Sequence, residues 1–308
     1  MSALTRRRFL SISACMVLAG STRDQPRLPR TRWQGTALGA DVSITLRGPD
    51  ALTRPLLARL RLEIEAYESR FSLFRADSDI TRLNREGHLP DLDARWQDMI
   101  ARSNRLYHAT GGLFDPTIQP LWLAYATGGD IDAARAQVGW DRVALPGPAR
   151  RGLRLGEGQA LSLNGIAQGA ATDAVKALLQ TAGLTQVMVD IGETATIGGP
   201  WNLGLSDPEH GSFATLQLQD KAMAVSSPAA LRLGPTADHI LHPIRATPPR
   251  WASIAVVADR AADADGLSTA GCFMTRTELR RGAMQLGGIE QILLLDAQGV
   301  RQTVSIPA

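Results

Sequence analysis

Apolar positions along the chain switch between helical and strand spacing without a strict rhythm. In "ALTRPLLARLRLEIEAYESRF" (51–71), Leu56, Leu60, Ile64, Tyr67 and Phe71 recur at helical intervals and predict an amphipathic helix. "DARWQDMIARSNRLYHATGG" (93–112) predicts a second, with Asp93 as N-cap and Gly111 near its end. "DIDAARAQVG" (130–139) predicts a short helix capped by Asp130 or Asp132. "ADVSITLRG" (40–48), "ALSLNG" (160–165) and "QVMVDIG" (186–192) alternate as strands do. "GAATDAVKALLQTAG" (169–183) reads as a helix ending near Gly183. "WNLGLSD" (201–207), "FATLQLQD" (213–220) and "AMAVSS" (222–227) read as consecutive strands of a meander. "ASIAVVAD" (252–259) is a further strand, "GLSTAGCFMT" (266–275) and "RTELRRGAMQLG" (276–287) are helical, and "QILLLDAQG" (291–299) is a late strand. Helices and strands mixed in this way predict an α+β fold, with mixed or antiparallel sheets and packed helices, rather than a doubly wound one.

The N-terminus changes the picture. "TRRRFL" (5–10) puts paired arginines before a moderately apolar run, Phe9 to Gly20. Twelve residues fall short of the about 20 that span a bilayer but suit a signal segment. Residues 1–20 therefore read as a twin-arginine export signal, which predicts a periplasmic protein delivered already folded. "ISAC", ending at Cys15, offers lipid anchoring as an alternative, and "STRDQPRLPRTR" (21–32) reads as a linker. Residues 33–308 then form one domain of ordinary globular composition, 44% hydrophobic and 20% charged across the whole chain. Setting aside the signal, which holds Arg6, Arg7 and Arg8 and no acid, takes the formal charge from +3 to zero. Bulk charge thus gives no argument for a nucleic-acid partner. Cys272 is left as the other cysteine, so neither an intramolecular disulfide nor a cysteine-based metal cluster is expected, and it reads as a buried apolar residue.

Four stretches could carry chemistry. In "SLNGIAQGAATDAVKALL" (162–179), Gly165 and Gly169 lie at a helix start, where free N–H groups make either an anion site or a plain structural turn. In "GGLFDPTIQPLW" (111–122), Asp115 before Pro116 is either an N-cap or a ligand-contacting acid. "DHILHP" (238–243) carries His239 and His242; a zinc pair lacks a third ligand nearby, which leaves one general-base or ligand-contacting histidine. "DADGLSTAG" (263–271) places Asp265, Ser268 and Thr269 at i, i+3 and i+4. That donor set is hard-cation chemistry, Mg2+ with Ca2+ as the alternative. The competing reading makes Asp265 a cap on its own helix, whose positive N-terminus would repel a bare cation but not one arriving with a phosphate.

Taken in order, "GT" (35–36), "SRFSLFRADSDITRLN" (69–84), "TGGLFDPTIQPLW" (110–122), "LNGIAQGAATD" (163–173), "HILHP" (239–243) and "ADGLSTAG" (264–271) resemble the ApbE-type FAD:protein FMN transferases. The resemblance implies an Mg2+-dependent enzyme with FAD as substrate. It would join FMN through its phosphate to a Ser or Thr of a periplasmic acceptor flavoprotein and release AMP. It also implies peripheral membrane association through that partner. By the same resemblance, Gly165 (through its carbonyl), Asp265, Ser268 and Thr269 bind the metal, and His239 assists deprotonation with Asp265 as the other catalytic residue. Phe74, Leu113, Phe114, Asp115, Ser162, Gln168 and Ile240 lie around the flavin nucleotide. Ser162 and Gln168 replace an acid and a lysine common in the family, His242 an acid, Ala246 a glycine, and Glu193 the second glycine of a pair. These departures keep open a catalytically degenerate FAD-binding maturation protein of the same fold, or an FAD pyrophosphatase.

Overall fold

The helical stripe at 51–71 becomes one wall of the core. In a computed structural model, α1 (Asp50–Phe71) buries Leu56, Leu60, Ile64, Tyr67 and Phe71, and the Phe71 ring meets Trp96 edge-on at 4.8 Å. The structure describes residues 15–17, 29–147, 151–235 and 237–307. The twin-arginine sequence and most of the segment read as signal and linker lie outside the described residues.

The strands are β1 (Cys15–Val17), β2 (Arg30–Ala37), β3 (Ala40–Arg47), β4 (His88–Leu89), β5 (Leu153–Arg154), β6 (Val187–Ile191), β7 (Thr194–Ile197), β8 (Trp201–Asp207), β9 (Gly211–Leu218), β10 (Ala222–Ser226), β11 (Arg232–Leu233), β12 (Ala237–Asp238), β13 (Ser253–Ala258), β14 (Ile289–Leu295) and β15 (Arg301–Ser305). The remaining helices are α2 (Asp79–Glu86), α3 (Ala94–Ala109), α4 (Gln119–Thr127), α5 (Ile131–Ala136), α6 (Ala167–Thr181), α7 (Ala261–Gly271) and α8 (Arg276–Leu286). Eight strands form one sheet in the order β15-β14-β13-β10-β7-β6-β3-β2, with every neighbouring pair antiparallel. The fold is α+β.

Both faces of this sheet are covered, and the alternation of side chains sorts them. Ile254, Val256 and Ala258 of β13 join the core that includes residues of α1, α3, α6, α7 and α8. Ala255 and Val257 join Leu203, Leu205 and Leu218 of the β8–β9 hairpin on the other side, with Met188 and Met223. Two-sided burial explains why β13 reads as a continuous apolar run.

Three sequence expectations need revision. Residues 160–165 form no strand; the extended chain at Leu161 instead pairs with the Asn84 side chain, whose amide donates to Leu161 O at 2.9 Å and accepts from Leu161 N at 2.7 Å. The meander divides, since β8 and β9 belong with β1 to a separate three-stranded sheet and only β10 enters the large one. β2 begins at Arg30, inside the segment read as linker. The caps fall where expected for α3, where Asp93 accepts from Trp96 N, and Asp130 rather than Asp132 caps α5.

Candidate functional site

Asp265 caps a helix, but not its own. Asp265 lies within α7, whose N-cap position is Arg260. Its Oδ2 accepts a 3.1 Å hydrogen bond from Gly169 N, in the first turn of α6. Asp173 of α6 returns the contact, its Oδ1 accepting from Ala261 N at 2.7 Å and its Oδ2 from Ala262 N at 3.1 Å. Each helix therefore supplies the carboxylate that satisfies free N–H groups of the other. The positive N-terminus of α7 is answered by Asp173, so the expected repulsion of a cation by that end does not bear on Asp265 as first supposed. Replacing Asp173 with Ala removes two such bonds, and thermal melts should show a loss of about 1–2 kcal/mol.

The reciprocal cap requires close backbone approach. A Cβ at Gly169 would lie 2.5 Å from Ala261 O. One turn earlier, a Cβ at Gly165 would lie 2.9 Å from Thr269 Oγ1. The loop at 165 and the face of α7 bearing Asp265 and Thr269 are thus in contact. Asp265 is 3% exposed, and burial, with the charge of Asp173, pushes its carboxyl well above the usual carboxylate range. Burial and then the Asp265 charge do the same to the buried Glu193. An acid so placed is electrostatically incomplete, and a cation would lower its proton affinity.

Ser268, expected beside Asp265 and Thr269, has its hydroxyl engaged within the protein. It is fully buried, its Oγ donates to Asp265 O at 3.0 Å and pairs with Ser226 Oγ of β10 at 2.8 Å. On a helix, Asp265 and Thr269 share a face while Ser268 is turned toward the sheet. Among the described residues no group of three or more His, Cys, Asp or Glu could hold a metal. A hard cation here would take the Asp265 carboxylate and the Thr269 hydroxyl, which lies against Gly165, and would need further ligand oxygens to complete its shell.

Several residues expected to touch flavin also have partners within the protein. Asp115 Oδ1 accepts from Thr117 N at 2.8 Å and Thr117 Oγ1 at 2.6 Å, and its Oδ2 from Trp140 N at 3.1 Å, so its carboxylate organises a turn. Phe114 is buried in the main core, with Leu113 packed against it. Ser162 N donates to Pro116 O at 2.8 Å, joining the Asp115 turn to the segment leading into Gly165. Gln168 Nε2 donates to Leu38 O at 3.0 Å, tying α6 to the β2–β3 turn. That turn has positive φ at Leu38 and Gly39, and a Cβ at Gly39 would strike the Phe74 ring. Phe74 therefore covers the hairpin end beside the start of α6.

His239 is held at both ends. Its backbone N donates to Leu231 O at 2.9 Å, and its Nδ1 is 2.9 Å from Pro228 O. A carbonyl only accepts, so Nδ1 carries the proton and Nε2 the lone pair. Burial holds the ring below the usual histidine value. Pro228 follows Ser226 by two residues, and Ser226 touches Ser268, which links His239 to α7 through β10. Ile240, beside it, packs on the main core. Cys272 is buried, as expected, and burial pushes its thiol up. A polar groove of about 490 Å³, lined by residues including Asn84, Pro120, Leu123, Gly156 and Gln159, contains none of the expected site residues. The sequence does not mark Asp173, Glu193 or Ser226 as part of this junction; Asp173 closes the "LNGIAQGAATD" stretch, but nothing local shows that it caps α7.

A model of the ApbE family matches residues 38–293. The chain is 22% identical to an FAD:protein FMN transferase of Klebsiella pneumoniae (strain 342), over 97% of this chain and 95% of that protein. Its fold is similar to the flavin transferase ApbE from Vibrio cholerae, with TM-score 0.75, 21% identity and coverage of 90% and 97% of the two chains. It is also similar to the ApbE protein of Thermotoga maritima, with TM-score 0.77, 22% identity and coverage of 89% and 96%. With the family match spanning all the residues that build the α6–α7 junction and its surroundings, the chain belongs to the ApbE family.

Proposed function

We propose that this protein is an Mg2+-dependent FAD:protein FMN transferase that modifies a Ser or Thr of a periplasmic flavoprotein. The observation that carries this reading is the junction of α6 and α7, where Gly165 meets Thr269 and Gly169, in the first turn of α6, meets the buried Asp265 carboxyl. Asp265, Thr269 and the Gly165 carbonyl would hold the ion. When bound, Mg2+ would polarise a phosphoryl oxygen and offset charge on the departing AMP. The N-terminus of α6 favours the diphosphate of FAD. The acceptor oxygen attacks the FMN phosphorus, the bond from that phosphorus to the bridging oxygen breaks, and AMP leaves. His239 Nε2 takes the proton of the attacking hydroxyl. The paired arginines at 6–8 support export, and membrane association would come through the acceptor.

His239→Gln should slow transfer by about 10²-fold, the low end of general-base effects, because phosphoryl transfer depends mainly on placement and charge. Wild-type activity should fall as pH drops below the usual histidine value, since only the neutral ring accepts a proton; initial rates against pH check both. The activity itself is tested by incubating the protein with FAD, Mg2+ and an acceptor domain. A flavin-fluorescent acceptor and AMP in equal amounts are expected. AMP released at the same rate without acceptor would instead support hydrolysis, and FAD binding without AMP would support a maturation protein. An acceptor left unmodified where another ApbE-family enzyme labels it overturns the transferase reading.

A further inference from the structure

The loop after His239 is organised by a histidine that accepts two hydrogen bonds. His242 Nδ1 lies 3.1 Å from Ile244 N and 3.1 Å from Arg245 N. Both partners are donors, so Nδ1 must present its lone pair, and the proton of the neutral ring sits on Nε2. The same loop is clamped from α5, where Arg135 Nη1 donates to His242 O at 2.8 Å and Arg245 O at 3.2 Å. Arg135 Nη2 is 3.4 Å from Tyr125 Oη of α4. The imidazole packs edge-on to Phe273, just beyond the end of α7, with centroids 5.2 Å apart.

We propose that His242 is a positioning residue whose neutral ring folds residues 242–245 into the turn that directly follows the His239–Leu241 segment, and that its protonation releases this turn and weakens FAD binding. The link to FAD rests on the transferase reading; the turn itself does not. An imidazolium would point an N–H at two further N–H donors, so the turn and the charged ring exclude each other. The charged groups facing His242 are Arg135 from α5 and Arg245 from its own loop; the Phe273 ring carries no charge, and the Tyr125 hydroxyl meets Arg135 rather than the imidazole. Burial, then Arg245 and Arg135, hold His242 below the usual histidine value. With the folded value depressed, the turn is fully supported above about pH 6.5 and is lost as pH falls through the folded value.

Amide hydrogen exchange at Ile244 and Arg245, corrected for intrinsic rates, reads the turn without flavin, and FAD titration with Mg2+ reads its consequence. In the wild type, protection should fall about tenfold per pH unit on the acid side, as one-proton linkage requires. His242→Asp supplies a carboxylate acceptor that stays ionised to about pH 4, so protection and FAD affinity should hold to lower pH. His242→Phe keeps a ring against Phe273 but no acceptor, and should be unprotected at every pH while remaining folded by circular dichroism. Wild-type protection no more acid-sensitive than that of His242→Asp overturns the proposal. Acid-dependent protection with no FAD affinity at any pH overturns the transferase reading and, with it, the proposed coupling to flavin, while the turn stands.

Discussion

Asp265→Asn should slow FMN transfer by about 10³-fold at fixed Mg2+. Two unit charges about 4 Å apart interact by about 4 kcal/mol at an effective dielectric near 20, and about 1.4 kcal/mol is a factor of ten. The amide is the informative choice, because its Oδ1 can still accept from Gly169 N, the 3.1 Å bond that joins α7 to α6. Folding is thereby separated from charge. The defect should shrink as Mg2+ is raised, since what is lost is attraction for the ion. Ser268→Ala is the matched control. That hydroxyl is bonded to Ser226 and to the Asp265 carbonyl, so its loss should lower the melting temperature slightly and leave turnover within a few-fold. Initial rates over a Mg2+ series check both variants. Asp265→Asn with near wild-type rates, or Ser268→Ala with the larger defect, would remove the α6–α7 junction from the chemistry.

How these residues come together was only half visible in the sequence. The stripe Leu56, Leu60, Ile64, Tyr67 and Phe71 was legible because helical periodicity is local, and all five are buried. The N-caps at Asp93 and Asp130 were legible for the same reason: donor and acceptor lie three residues apart. The strand character of 201–207 and 222–227 was readable, but not which sheet each joins, because alternation shows that a face is buried and not what buries it. β2 was missed since its pattern of exposed and half-buried polar residues is that of an edge strand. At 160–165 the alternation of Leu161 and Leu163 was real burial, but the hydrogen-bonding partner is the side chain of Asn84, far away in sequence. The site follows the same division. The types and spacing of Asp265 and Thr269 could be read from one helical turn. That Asp265 caps α6, that Asp173 caps α7, and that Ser268 faces β10 are consequences of packing between distant segments.

Gly169→Ala tests that packing by setting two principles against each other. Within a helix, alanine is favoured over glycine by about 1 kcal/mol, so propensity alone predicts a more stable protein. The structure predicts the opposite. The added Cβ would lie 2.5 Å from Ala261 O, 2.6 Å from Ala261 C and 2.7 Å from Ala262 Cα. All three are backbone atoms of α7, which cannot swing aside as a side chain can. α6 and α7 must part, and overpacking of this kind costs about 1–3 kcal/mol. We expect the upper part of that range, and a melting temperature about 4–10 °C lower. The Gly169–Asp265 bond lengthens as the helices separate, so Mg2+ dependence should steepen as well. Gly165→Ala makes the contrast sharp. Its Cβ would meet Thr269 Oγ1 at 2.9 Å and Thr269 Cγ2 at 3.1 Å, atoms that a χ1 rotation can move. That variant should melt near the wild type yet lose activity, because the rotation moves the Thr269 hydroxyl from its place against Gly165. A rise in melting temperature for Gly169→Ala would show that the two helices are not in the contact on which the proposed ion site depends.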